Sequence, residues 1–190
     1  MSAGTEDLPK SSTDLAGERI QANLMKGTRD RFGDRYDDTI LAQYSLYVEM
    51  ADRISARRHS ANSYFLAVNS LLVALSGFLA SQLDGELWTR DSSAVLIPLA
   101  GIVLCFVWYY LIRSYRQLNT AKFKVVHEIE SLLPLAPYDA EWEALERGEN
   151  RAVYWPFTHV EKWVPFVFGT LYVSALVFTV AGVFGVFIEA

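Results

Sequence analysis

The sequence predicts an all-α membrane protein. It has three transmembrane helices, the first two extended into a cytoplasmic helical stalk, assembled as a symmetric oligomer. Three observations lead there. Residues 61–83, 94–112 and 163–188 are apolar stretches without a formal charge. Each holds on the order of 20 residues, enough at 1.5 Å rise per residue to cross a hydrocarbon core of roughly 30 Å. Lysine and arginine gather on one side of these stretches, and helical periodicity continues past the ends of the first two.

The chain divides into a polar arm over 1–36, a helix over 37–83 and an outer hairpin over 84–93. A second helix over 94–133, a connector over 134–162 with a short helix, and a third span over 163–190 complete it. The arm is polar and holds no apolar run, so it reads as mobile, and the first span is expected to act as its own insertion signal. Asp37 and Asp38 suit a helix start, where acids meet the positive end of the helix dipole. From Thr39 no proline or glycine occurs before Gly77, and Ile40, Tyr44, Tyr47, Ala51 and Ile54 recur in a heptad-like seam.

The second span behaves the same way in reverse. No breaker follows Gly101 until Pro134, and Leu118, Ala121, Val125, Ile129 and Leu132 form a seam below it. Two arrangements bury such seams, pairing inside one protomer or between protomers. The small size of the chain favours an oligomer, with four protomers as the preferred count. Beyond Pro134 and Pro137, a short acidic helix is expected to run to about Arg147 with Asp139 as its N-cap and Gly148 closing it. Trp155-Pro156-Phe157 leads into the third span, and Tyr109, Tyr110, Trp163 and Trp88 suit aromatic belts at the two interfaces.

Charge sets the orientation. Arg53, Arg57 and Arg58 precede the first span, Arg113, Arg116, Lys122 and Lys124 follow the second, and Arg151 and Lys162 precede the third. The hairpin offers Arg90 against Asp84, Glu86 and Asp91. The positive-inside rule then makes the N-terminus and the 114–162 connection cytoplasmic, and the hairpin and C-terminus external. Bases at the inner surface suit contact with the anionic headgroups of the lipid bilayer, and ordinary anchoring is one reading of them. The other is a collar for an anionic ligand on Arg53, Arg57, Arg58, Arg116, Lys122 and Lys124, since guanidinium and ammonium groups recognise phosphate.

Within the first span Asn62, Asn69 and Ser76 fall at seven-residue spacing on one helix face. Lipid leaves their donors and acceptors unsatisfied, so this face meets a helix or water. Interhelical glue and a pore lining both fit, the pore being slightly preferred once an oligomer is allowed. Ala181 and Gly185 form a small-xxx-small pair in the third span that permits close helix approach. No span holds an acid or base near its centre, which speaks against proton-coupled transport.

Nothing suggests an enzyme. His59, His127 and His159 are far apart, and no nucleophile elbow or P-loop occurs. The run His127-Glu128-Ile129-Glu130 reads as a solvated helix face rather than a metal site, and no cofactor is called for. Cys105, the sole cysteine, rules out an intrachain disulfide and reads as a packing residue.

Two sequence blocks carry a resemblance. Leu46-Tyr47-Val48-Glu49-Met50-Ala51-Asp52-Arg53-Ile54-Ser55-Ala56-Arg57-Arg58, running into Ala61-Asn62-Ser63-Tyr64-Phe65-Leu66, is one. Arg116-Gln117-Leu118-Asn119-Thr120-Ala121-Lys122-Phe123-Lys124-Val125 with Pro137-Tyr138-Asp139-Ala140-Glu141-Trp142 is the other. They resemble small bacterial membrane effectors of anti-phage systems that pair a nucleotidyltransferase with a membrane protein, the Hailong type. The resemblance implies an oligomeric ion channel in the bacterial inner membrane, gated by a nucleotide or oligonucleotide from the partner nucleotidyltransferase and disrupting the membrane when open. A non-conducting membrane scaffold that recruits a cytoplasmic partner would use the same seams and remains the alternative.

Overall fold

A computed structural model describes residues 12–82, 93–154 and 158–189. Of the hairpin expected over 84–93, residues 84–92 with Arg90 and Trp88 lie outside the described residues, as do residues 1–11 and Trp155-Pro156-Phe157, while Ser93 already opens a helix. So do the side chains from 183 onward, Gly185 among them. Every described regular element is helical.

Helix α1 spans Ser12–Leu24, α2 Arg29–Phe32 and a 3-10 turn Gly33–Arg35. Within the arm the chain is helical from Ser12 to Leu24, and its Gly17 lies close beside the Glu128 carboxylate. Glycine lets α1 approach there, since a Cβ would stand 3.0 Å from the Glu128 Oε1. The long helix α3 covers Tyr36–Gln82, with Asp37 and Asp38 in its first turn. Helix α4 covers Ser93–Glu130 and takes Pro98 within its first turns. It stops before the expected residue 133, where the amides of Leu132 and Leu133 turn back to Ile129 and Glu130 in tighter loops. Helix α5 spans Pro137–Ala144, a second 3-10 turn Glu146–Gly148, and α6 Thr158–Glu189. Three of the helices are long and apolar enough to cross a membrane.

The chain folds as two compact units. Unit 1 holds residues 1–52 and 119–150, and unit 2 holds 53–118 and 151–190. In unit 1 the α3 seam is the buried one: Ala51 is enclosed, and Tyr44 and Tyr47 are half-buried against α4. On α4 the face turned to α3 carries Lys122, Val126 and Glu130; of the predicted apolar seam Ile129 is buried and Val125 half-buried, while Ala121 and Leu132 are exposed. Periodicity finds a stripe but not its partner, and here two tyrosines on α3 receive the polar stripe of α4.

In unit 2 the three spans meet around Phe65, Trp108 and Ile112, with Leu104, Leu111, Val164 and Phe168 packed beside them. The Phe65 and Trp108 rings stack at 5.7 Å between centroids, and Trp108 meets Phe168 at 6.3 Å. Gly101 lets Tyr172 lie directly on α4, since a Cβ at Gly101 would stand 2.5 Å from the Tyr172 ring. Thr179 closes the far end by donating to the Ala94 carbonyl.

Candidate functional site: the polar groups of the spans and the basic residues

The Asn62–Asn69–Ser76 stripe is used inside unit 2. Asn62 accepts from the Trp108 indole N–H at 3.0 Å and donates to Glu161 at 3.1 Å, so it ties α3 to α4 and α6. Asn69 is 0% exposed. Its amide donates to the Phe65 carbonyl at 2.8 Å, and its side-chain oxygen lies 3.5 Å from the Cys105 sulfur. The Asn69 backbone carbonyl accepts from the Tyr172 hydroxyl at 3.0 Å. Ser76 returns its hydroxyl to the Leu72 carbonyl of its own helix. Asn62 and Asn69 thus both use their side-chain hydrogen bonds inside the protomer, with Asn62 half-buried and Asn69 enclosed.

The six bases expected to hold a ligand are not equivalent. Arg53, Arg57, Arg58 and Arg116 belong to unit 2, and Lys122 and Lys124 to unit 1. Arg58 is paired with Glu161, both largely buried. Together with Asn62 and Trp108 this pair forms one polar network joining the three spans, and shielding from water makes such a network worth more than a surface ion pair. Arg57, Arg116 and Lys124 are exposed, and among the described residues none of them makes an ion pair. Arg53 is exposed as well. Lys122 is 8% exposed, with its Nζ 4.4 Å from the centroid of the Tyr47 ring.

Unit 1 contains a second polar centre that periodicity passed over. Glu130 is 2% exposed and accepts three hydrogen bonds: from the Tyr44 hydroxyl at 2.8 Å, the Tyr138 amide at 2.9 Å and the Asp139 amide at 3.1 Å. Two of these donors are first-turn amides of α5, so a residue of α4 caps the next helix. Asp139, expected as the N-cap, lies inside that first turn, because Pro137 takes the opening position with its fixed φ and missing N–H. The Asp139 carboxylate instead sits 3.5 Å from His127 and 3.6 Å from Arg147. The run His127-Glu128-Ile129-Glu130 is therefore not a solvated face. Its signal was Glu130 recurring eight residues after Lys122 on the face that α3 covers. Burial, and next the bond to Glu130, push the Tyr44 phenol well above its ordinary range. Burial followed by Asp52, Glu141 and Glu130 raises Tyr138.

Glu161 was also missed. It stands between Val160 and Lys162, and only the fold shows that this acid meets Arg58 and Asn62.

Three span-length helices knitted by asparagine, tyrosine and a shielded ion pair define a small polytopic helical membrane protein. Comparison of the sequence with known families places it more narrowly. The chain belongs to the octameric membrane protein family (8xMP), whose pattern matches residues 41–181. Neither the curated proteins nor the solved structures gave a match.

Proposed function

We propose that the protein is a protomer of a homo-oligomeric, non-enzymatic ion channel in the bacterial inner membrane. Its N-terminus is cytoplasmic and its C-terminus external, as the Lys/Arg asymmetry favours. In this reading it is the membrane effector of an anti-phage defence system. A nucleotide or oligonucleotide from a partner nucleotidyltransferase gates it on the cytoplasmic side, and the open state disrupts the membrane. The gating and defence parts rest on the resemblance of the Leu46–Leu66 and Arg116–Val125 blocks. The family's description names eight protomers, so the proposed assembly has eight rather than four.

One observation carries the channel reading. The first span has two polar faces, and only one of them is occupied within the protomer. Opposite the enclosed Phe65 and Asn69, the residues Ser63, Ala67, Ser70, Ala74 and Gly77 are all exposed. Their alternating spacings of four and three keep them on one side of the helix. A Cβ at Gly77 would meet nothing within 4 Å. Hydroxyl groups turned to hydrocarbon lack the partners that water or a neighbouring protomer supplies. In the proposal this face, turned away from the asparagines, lines the axis of the ring.

The test is ion flux from protein reconstituted in liposomes. Wild-type protein should conduct, and Ser70→Cys should conduct until a water-soluble thiol reagent blocks it. The native Cys105 is buried and should leave wild type insensitive. Asn69→Cys should stay unblocked. Wild-type protein that assembles but never conducts, with or without added oligonucleotide, would leave the scaffold reading standing.

A further inference from the structure

We propose that Lys122, Asn119 and Tyr47 form a site in unit 1 for the phosphoryl end of a nucleotide, one phosphate with a sugar hydroxyl beside it. The proposal rests on the ligand reading above and narrows it from a collar of six bases to one place. Lys122 is the most buried member of that collar, and among the described residues no carboxylate pairs with it. The Tyr47 ring face beneath its ammonium attracts a cation but supplies no hydrogen-bond acceptor along the N–H directions. An ammonium withdrawn from water and left without an anion is poised to take one.

A second, independent observation lies one turn away. The side-chain oxygen of Asn119 is buried and has no hydrogen-bond partner. Residues three apart on a helix are neighbours on its surface, so Asn119 and Lys122 present an unmet acceptor and an unpaired cation side by side. A ligand satisfying both groups carries an anionic oxygen for Lys122 and an O–H donor for Asn119, a few ångströms apart. A phosphate ester on a sugar has both, whereas a simple carboxylate has only the first. Lysine binds phosphate as a point charge, so one such residue suits a terminal phosphate rather than a long backbone.

The experiment is calorimetric titration of the full-length protein in detergent with adenosine 5′-monophosphate, inorganic phosphate, and a short single-stranded oligonucleotide. The monophosphate should bind more tightly than inorganic phosphate. Lys122→Gln should weaken it about tenfold or more, as expected for losing a charge-assisted hydrogen bond. Lys122→Arg should retain most of the binding. Asn119→Leu should weaken the monophosphate but not inorganic phosphate, and should not lower the melting temperature of the free protein. Oligonucleotide binding that survives Lys122→Gln and is lost on Arg57→Glu would overturn this site and leave the collar intact. Monophosphate binding indifferent to both Lys122→Gln and Asn119→Leu would overturn it as well. If neither the monophosphate nor the oligonucleotide binds wild type, this site and the ligand reading fail together.

Discussion

Replacing Glu130 by alanine should detach α5 from α4. The carboxylate accepts from the Tyr44 hydroxyl and from the Tyr138 and Asp139 amides, at 2.8, 2.9 and 3.1 Å. A buried donor left unmet costs about 1–3 kcal/mol. Helix α5 has no buried residue, so its two amides regain water once the first turn frays, and each falls at the low end of that range. Tyr44 is less able to recover, because its phenol is held against α4. Together the three losses come to about 3–5 kcal/mol. Glu130→Gln keeps one carbonyl acceptor but turns an N–H toward the α5 amides, and should cost about 1–2 kcal/mol. Hydrogen exchange of the protein in detergent reads this directly. Protection at Tyr138 and Asp139 should fall about 100-fold in Glu130→Ala, the equivalent of ~3 kcal/mol, while protection across α6 stays as in wild type. Unchanged protection of those two amides would show that Glu130 does not cap the helix.

Two further predictions concern packing and pH. Gly101→Ala should destabilise unit 2 by about 1–3 kcal/mol, because the new Cβ would stand 2.5 Å from a Tyr172 ring that is itself tethered to Asn69. Thermal melts should show Tyr172→Leu absorbing most of that loss, and additive effects of the two changes would refute the clash. The phenols of Tyr44 and Tyr138 are raised above their ordinary 10.0. A raised phenol binds its proton more tightly folded than unfolded, so this stability is full below about pH 10 and lost as pH climbs through the raised values. The paired change Tyr44→Phe and Tyr138→Phe should flatten the fall in melting temperature above about pH 10. A fall as steep as wild type would contradict it.

The sequence by itself determined that this is a helical membrane protein. Unbroken runs of about 20 apolar residues mark helical spans, because a helix satisfies every backbone group locally and barrel strands are shorter and alternating. It also showed that α3 continues as one helix, because nothing between Thr39 and Gly77 interrupts the ladder. What it left open is which groups face each other. Asn62, Asn69 and Ser76 announce a polar face, but pore and glue need the same residue types at the same spacing. Only the fold shows that Asn69 is enclosed within its own protomer. The α4 seam shows the same gap: Ala121 and Leu132 have the right period, yet Lys122 and Glu130 are the residues turned to α3. The residues across from these buried charges come from distant positions in the sequence: the Tyr47 ring for Lys122, and Tyr44 with the first turn of α5 for Glu130. Periodicity reports what one helix can bury. Only the fold reports what stands across from it.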